Sequence, residues 1–418
     1  MLHKLHSQIA SPYAYIKALV KWLFLACLIG FLGGLVGSLF HIAIDAVTAL
    51  RSDHNFLLYL LPVGGVILAA LYHVCKKYGK MNTDCVFDAV KSESKIPLIL
   101  APLIFISTVI THLVGGSAGR EGAALQLGGS IGYNIGRLFR LNKKDLHIIV
   151  MTGMSAVFAA LFGTPLTAAV FALEVVSVGI SYYAGLVPCV LSAIVASRIA
   201  LMCKLHPVHF STVPAIAINP ENLAKIILLA LLCALVSIVF CVAVKKGEHY
   251  ADKLLPNPYL RGAAGGIILI ALTLLVGSRD YNGAGMDIIT NAMTGSARPE
   301  AFLLKLIFTV ITIAAGFKGG EIVPVFFIGS TFGCVIGSWL GLSPAFAAAV
   351  GFVAVFCGAV NCPIASIILS LEVFGGDNLP LFALVCAVSY MMSGRYGLYQ
   401  SQRIVYSKIE DTLLQAEE

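Results

Sequence analysis

One stretch constrains this chain more than any other: Gly115-Gly116-Ser117-Ala118-Gly119-Arg120-Glu121-Gly122-Ala123-Ala124-Leu125-Gln126, a glycine-rich break carrying an Arg-Glu pair between two apolar runs. An ionisable side chain at membrane depth costs about 2.5–3.5 kcal/mol on insertion scales, so Glu121 is a functional candidate by default. Four glycines (115, 116, 119 and 122) end one helix and let the next begin in close contact with other backbone. A helix starting near Glu121 aims free N–H groups and partial positive charge at the protein interior, which makes an anion site. The plainer alternative is an interhelical turn with a surface ion pair, and the dense glycines and apolar flanks argue against it.

The surroundings are those of a polytopic membrane protein. Of 418 residues only 12% are charged, about half the share usual in a soluble domain. Apolar runs fall near 17–41, 56–75, 97–114, 147–178, 183–203, 224–244, 262–277, 302–316, 322–360 and 379–392. Several are long enough to span, and several are short and broken by Gly or Pro, which predicts re-entrant or broken helices lining a cavity. The +7 net charge lies in loop clusters such as Lys76, Lys77 and Lys80, or Arg137, Arg140, Lys143 and Lys144. This is a positive-inside pattern, not a nucleic-acid footprint, and it puts both termini in the cytoplasm of an inner-membrane protein. The first apolar run is too long for a signal-peptide core and is retained as a helix. Eleven cysteines without a C-x-x-C pair read as small buried hydrophobes. No metal or cofactor is expected.

The chain repeats itself. Met81-Asn82 and the residues after it are echoed by Met286-Asp287, Glu121 by Glu321 in Gly319-Gly320-Glu321-Ile322-Val323-Pro324, Pro165 by Pro363, and Glu174 by Glu372. Four landmarks at a spacing of about 200 residues predict an all-α fold of two repeats of inverted topology, 1–210 with an N-terminal cytoplasmic helix and 211–408, followed by a short tail at 409–418 and no regulatory domain. Such repeats place a substrate site at their interface near the midplane. Glu174 and Glu372, each nine residues after its proline, read as structural hydrogen-bonding or interfacial groups rather than ion carriers.

Gly119-Arg120-Glu121-Gly122, Gly319-Gly320-Glu321-Ile322-Val323-Pro324 and Gly397-Leu398-Tyr399 together resemble the three signature regions of the CLC anion channels and transporters. The resemblance implies a homodimer in the lipid membrane, with an anion pathway in each subunit. Its gate is Glu121, its backbone donors come from Ile322 and Val323, and its pore tyrosine is Tyr399, with Tyr396 a poorer match. Three departures stand out. Gly79-Lys80-Met81-Asn82 replaces the usual Gly-Ser-Gly-Ile-Pro filter, so Met81 stands where a chloride-coordinating serine would. Ala123 replaces a proline, and Val175 replaces the second glutamate of the proton-coupled chloride exchangers. Together with Glu321 these resemble the fluoride-exporting branch, in which Asp84, an acid beside an anion filter, is out of place.

The chemistry gives a mechanism. A carboxylate competes with an anion for the same N–H donors, and protonation removes the competition. If Glu121 alternately occupies the site and leaves it, protons and anions exchange through one residue, and inward proton flow drives anion export. Gly119, Gly122, Arg120 and Glu321 support the gate, with Arg120 anchoring the helix start. Met81 is either gap-filling or part of the filter; Asn82 and Tyr399 can each offer a hydrogen bond. The expectation is therefore a fluoride/proton antiporter, with a chloride/proton exchanger or a passive channel as the alternatives. An enzyme is disfavoured, because neither His-Glu-x-x-His, G-x-S-x-G nor a phosphate loop is present.

Overall fold

The computed structural model describes residues 12–76, 82–91, 94–210, 213–410 and 412. The expected N-terminal cytoplasmic helix at 1–11, Met81 with its neighbours Gly79 and Lys80, and most of the 409–418 tail lie outside the described residues. Within them the chain forms sixteen α-helices and one pair of two-residue strands.

The helices divide into two sets of eight that match one to one. The first set is α1 (Pro12–Asp53), α2 (Leu61–Cys75), α3 (Thr83–Lys91), α4 (Leu100–Val114), α5 (Glu121–Leu138), α6 (Lys143–Phe162), α7 (Pro165–Glu174) and α8 (Leu186–Met202). The second is α9 (Pro220–Leu254), α10 (Pro258–Val276), α11 (Met286–Met293), α12 (Ala301–Ala314), α13 (Ile322–Trp339), α14 (Pro344–Val360), α15 (Pro363–Phe374) and α16 (Leu379–Met392). Seven helices are long and apolar enough to cross a membrane, and six apolar ones of 10–17 residues are shorter, as re-entrant and broken helices require.

Local chemistry sets the breaks. The apolar run 147–178 splits at Gly163, which takes φ +70 at the end of α6, and resumes where Pro165 opens α7. Proline at a first helical position loses nothing, because its missing N–H would be unpaired there anyway. The run 322–360 splits likewise at Gly341, φ +70, before Pro344.

Equivalent helix pairs pack alike in both sets. A Cβ on Gly128 of α5 would lie 2.2 Å from the Gly153 carbonyl oxygen of α6, and one on Gly329 of α13 would lie 2.3 Å from that of Gly351 in α14. Only glycine permits backbones this close. Three contacts join an element to its own counterpart. Gly65 of α2 meets Gly262 of α10, Gly119 pairs with Gly320 in an antiparallel bridge, and α7 lies antiparallel beside α15. The last contact is reciprocal. The Glu372 carboxylate accepts from the Leu166 and Thr167 N–H groups at 2.9 and 2.8 Å, and the Glu174 carboxylate accepts from those of Ile364 and Ala365 at 3.2 and 2.9 Å. Each repeat thus caps a helix of the other. An inverted repeat with a pseudo-two-fold axis through these contacts is what such pairing requires.

Candidate functional site

The site forms where two broken helices meet. After α4 the chain turns at Gly115, φ +90, and the Gly115 and Gly116 N–H groups both return to the Thr111 carbonyl. The first break then leans on α12, with the Ser117 N–H donating to Thr312 Oγ1 at 3.0 Å and the Ser117 hydroxyl 3.1 Å from that of Thr309. The second break leans on α4 in return, the Lys318 N–H donating to Thr111 Oγ1 at 3.2 Å. Gly119 and Gly320 exchange backbone hydrogen bonds of 2.6 and 2.8 Å. These ties aim the first turns of α5 and α13 at one point.

Glu121 occupies that point and is fully buried. Its Oε2 accepts from the Arg120 N–H at 2.9 Å and, across the repeat boundary, from the Val323 N–H at 3.3 Å. Its Oε1 has no partner among the described residues. The carboxyl group therefore sits on one donor of each repeat, within one residue of the buried Ile322. Gly119 and Gly122 are required by space. A Cβ on Gly119 would lie 2.3 Å from Glu121 Oε2, and one on Gly122 would be 3.3 Å from Glu321 Oε2. Glu321 itself precedes α13, with Glu248, Lys318 and Glu121 as the charges around it.

The Arg120 guanidinium turns away from its neighbour towards Asp45 of α1, 3.3 Å distant. Asp45 in turn lies 3.2 Å from His41. Tyr399 is buried, and its hydroxyl has no partner among the described residues. Its ring meets Phe87 of α3 edge-on at 5.0 Å. The parallel pairing of Ser177–Val178 with Arg403–Ile404 returns the C-terminal segment to the body of the molecule, and the Leu398 N–H fastens it to the Ala359 carbonyl. Tyr396, by contrast, is 48% exposed.

Asn82 opens the helix beside the site. Its Oδ1 accepts from the Cys85 N–H and its Nδ2 donates to Asp84, so it caps α3. Asp84 has a matching role, its Oδ1 accepting from the Ser401 N–H at 2.9 Å. That bond ties α3 to the turn carrying Tyr399 and accounts for an acid beside the site.

Two cavities approach the paired breaks. One, of about 470 Å³, is bounded by Arg51, Arg279, His112 and Asp280, and reaches Arg120 and Val323. The other, of about 500 Å³, is bounded by Tyr72, Lys76, Asn82 and Arg261, and reaches Lys318. The antiparallel pair α2 and α10 fixes their relation. Asn55 and Leu58 just before α2 and Arg279 and Asp280 just after α10 border the first cavity, while the end of α2 and the start of α10 border the second.

Sequence reasoning missed three side chains here. His112, 1% exposed, lies with Nε2 3.3 Å from the Gly119 carbonyl, to which it must donate. Arg51 donates to the His112 carbonyl at 2.5 Å. Lys305, fully buried, donates to the carbonyls of Gly283 and Tyr281 at 2.6 and 3.3 Å. The rule that singled out Glu121 applies equally to the lone basic residues His112 and Lys305 inside apolar helices.

The sequence model described as the voltage gated chloride channel matches residues 64–394. A protein of Pseudomonas syringae pv. tomato named chloride/fluoride channel protein is 36% identical, over 93% of this chain and 88% of its own length. A solved structure of a CLC-type fluoride/proton antiporter superposes with TM-score 0.89 at 33% identity, covering 94% of this chain and all of that one. A slow cyanobacterial Cl−/H+ antiporter superposes with TM-score 0.75 at 20% identity, covering 89% and 94%, which bears on the fold alone.

Proposed function

From the premise that this chain belongs to the voltage gated chloride channel family, the CLC anion channels and transporters, we propose that it is a proton-coupled antiporter that exports fluoride. One observation carries this reading: the buried Glu121 carboxyl takes the Val323 N–H of the opposite repeat, between cavities that approach from opposite ends. Ionised, Glu121 holds a donor that an anion needs. Protonated, it no longer competes, and the carboxyl can yield Val323 to the anion.

Ile322 and Val323 supply the anion's backbone surroundings, with Tyr399 offering the hydroxyl that nothing else accepts. Met81 belongs to the same site on the strength of the resemblance. Asn82 gives one Nδ2 hydrogen to Asp84 and keeps the second for the anion. Gly119 and Gly122 leave room for the carboxyl, Arg120 braces it through Asp45, and Glu321 supports it as a second carboxyl packed against Gly122. The two repeats at 1–210 and 211–408 enclose the site. We place the basic loop clusters and both termini on the cytoplasmic side of the inner membrane, and two copies of the chain as a homodimer. The family transports ions and the reading requires no enzyme activity.

The test is flux from proteoliposomes loaded with fluoride or chloride while external pH is followed, for wild type and Glu121→Gln. Fluoride efflux with proton uptake in wild type, and neither coupling nor pH response in the variant, are expected. Equal chloride and fluoride rates would overturn the fluoride assignment. A passive channel is the second reading, favoured by the name of the Pseudomonas relative; fluoride efflux without proton movement would establish it.

A further inference from the structure

The cavity at the Lys76 end of α2 is built of cations. Lys76, Arg261 and Lys318 border its roughly 500 Å³. The Lys318 ammonium stands 4.7 Å over the centre of the Tyr72 ring. One Arg261 nitrogen pairs with Asp252, while its Nε, buried, has no partner among the described residues. Glu248 lies within electrostatic reach of Lys318 and Arg261, and Glu321 within reach of Lys318, both behind the cavity wall. Among the described residues three cations line the cavity itself and no carboxylate does, so its wall presents positive charge to a ligand.

Its location says what kind of anion it suits. Among the seven long apolar helices, the two segments flanking it, Asn55–Cys75 and Pro258–Val276, are the least buried, at 33% and 28%. Their outer faces carry exposed Val63, Ile67, Val74, Leu260 and Ile267. An apolar groove thus leads along α2 and α10 to a basic cavity at the helix ends, where a phospholipid keeps its headgroup when its chains lie along the groove. Basic pockets between transmembrane helices on the positively flanked side have the chemistry for acidic headgroups. We propose that this cavity binds the phosphate of an anionic phospholipid headgroup through Lys76, Arg261 and Lys318.

The site bears on the gate through one short connection. Lys318 stands three residues before Glu321 and is held to α4 by its own N–H. A headgroup on its ammonium stiffens the Gly316–Gly320 segment and fixes where that charge lies relative to Glu321. The binding claim does not depend on which ion the protein carries.

Native mass spectrometry of the purified full-length protein, equilibrated with mixed phosphatidylglycerol and phosphatidylcholine, reads the preference directly. Wild type is expected to retain phosphatidylglycerol. Each cation removed in Lys76→Gln and Arg261→Gln is expected to weaken that preference about fivefold, the equivalent of ~1 kcal/mol per basic residue. The charge-conserving pair Lys76→Arg and Arg261→Lys should keep it, which separates loss of charge from loss of fold. Wild-type flux in phosphatidylglycerol vesicles should exceed that in pure phosphatidylcholine several-fold, with the Gln double variant alike in both. Equal retention of the two lipids by wild type overturns the proposal. So does inorganic phosphate that displaces phosphatidylglycerol or restores flux in pure phosphatidylcholine, because the ligand is then a free anion.

Discussion

Glu121 has one oxygen on two N–H groups and the other on nothing, and this imbalance makes its protonation state decisive. Raising the proton concentration converts carboxylate to acid and frees the Val323 N–H. Fluoride flux is therefore expected to rise as pH falls through the range in which Glu121 titrates, and to be flat with pH in Glu121→Gln. A pH profile of efflux that is the same for both proteins would remove Glu121 from the gate. Tyr399 allows a sharper separation of function from fold. Its hydroxyl has no partner to lose among the described residues, so Tyr399→Phe should cost under about 0.5 kcal/mol of stability. The same change should raise the KM for fluoride, because an anion loses a donor. A fall in melting temperature with unchanged KM would give the tyrosine a packing role instead. Glu121 was legible in the sequence because a lone acid in a glycine-rich break stands out against apolar flanks. Lys305 and His112 were not singled out, since a basic residue alone in a helix says nothing of the carbonyl it serves. Asp84 was misleading for the same reason: its partner, the Ser401 N–H, is more than three hundred residues away.

At the scale of elements, the interlocked caps are the feature most exposed to test. Removing the Glu372 carboxylate leaves the Leu166 and Thr167 N–H groups and the Thr167 hydroxyl without their acceptor, and Thr167 is fully buried. Glu372→Ala is expected to destabilise the protein by about 1–3 kcal/mol, the cost of unsatisfied buried donors, with proton coupling intact in whatever fraction remains folded. Thermal unfolding in detergent alongside the flux assay checks both halves of that statement. An uncoupled but equally stable variant would turn Glu372 from a cap into an ion carrier. The helix pair α13 and α14 is tighter still, because a Cβ on Gly351 would meet the Gly329 carbonyl oxygen at 2.0 Å. Gly351→Ala should cost about 1–3 kcal/mol through overpacking, read as a lower melting temperature. Pro165, Pro363 and the glycines announced where elements break. They did not announce that Thr111 and Thr312 would each hold the other repeat's break, because hydroxyls buried in apolar runs look alike in sequence whichever partner they find.

For the whole molecule, the spacing of about 200 residues between landmarks was enough to read two repeats, but a constant offset is equally compatible with parallel or inverted copies. The structure decides this through the contacts that join equivalent elements, above all α2 against α10 and the antiparallel Gly119–Gly320 bridge. Inversion has a consequence that can be measured. If α2 and α10 run in opposite directions across the membrane, Lys76 at the end of α2 and Arg279 just beyond the end of α10 emerge on opposite faces. In a Cys75→Ser background, Lys76→Cys should react with a membrane-impermeant thiol reagent from the cytoplasmic face alone and Arg279→Cys from the other face alone. The parent background supplies the control, since eight of the eleven native cysteines are buried. The faces are assigned from the lysine-rich loops around Lys76 and Lys253, so exchanged labelling would reverse the orientation while leaving the inversion intact. Labelling of both positions from one face would break the inversion itself, and with it the placement of Glu121 between two cavities that open on opposite sides.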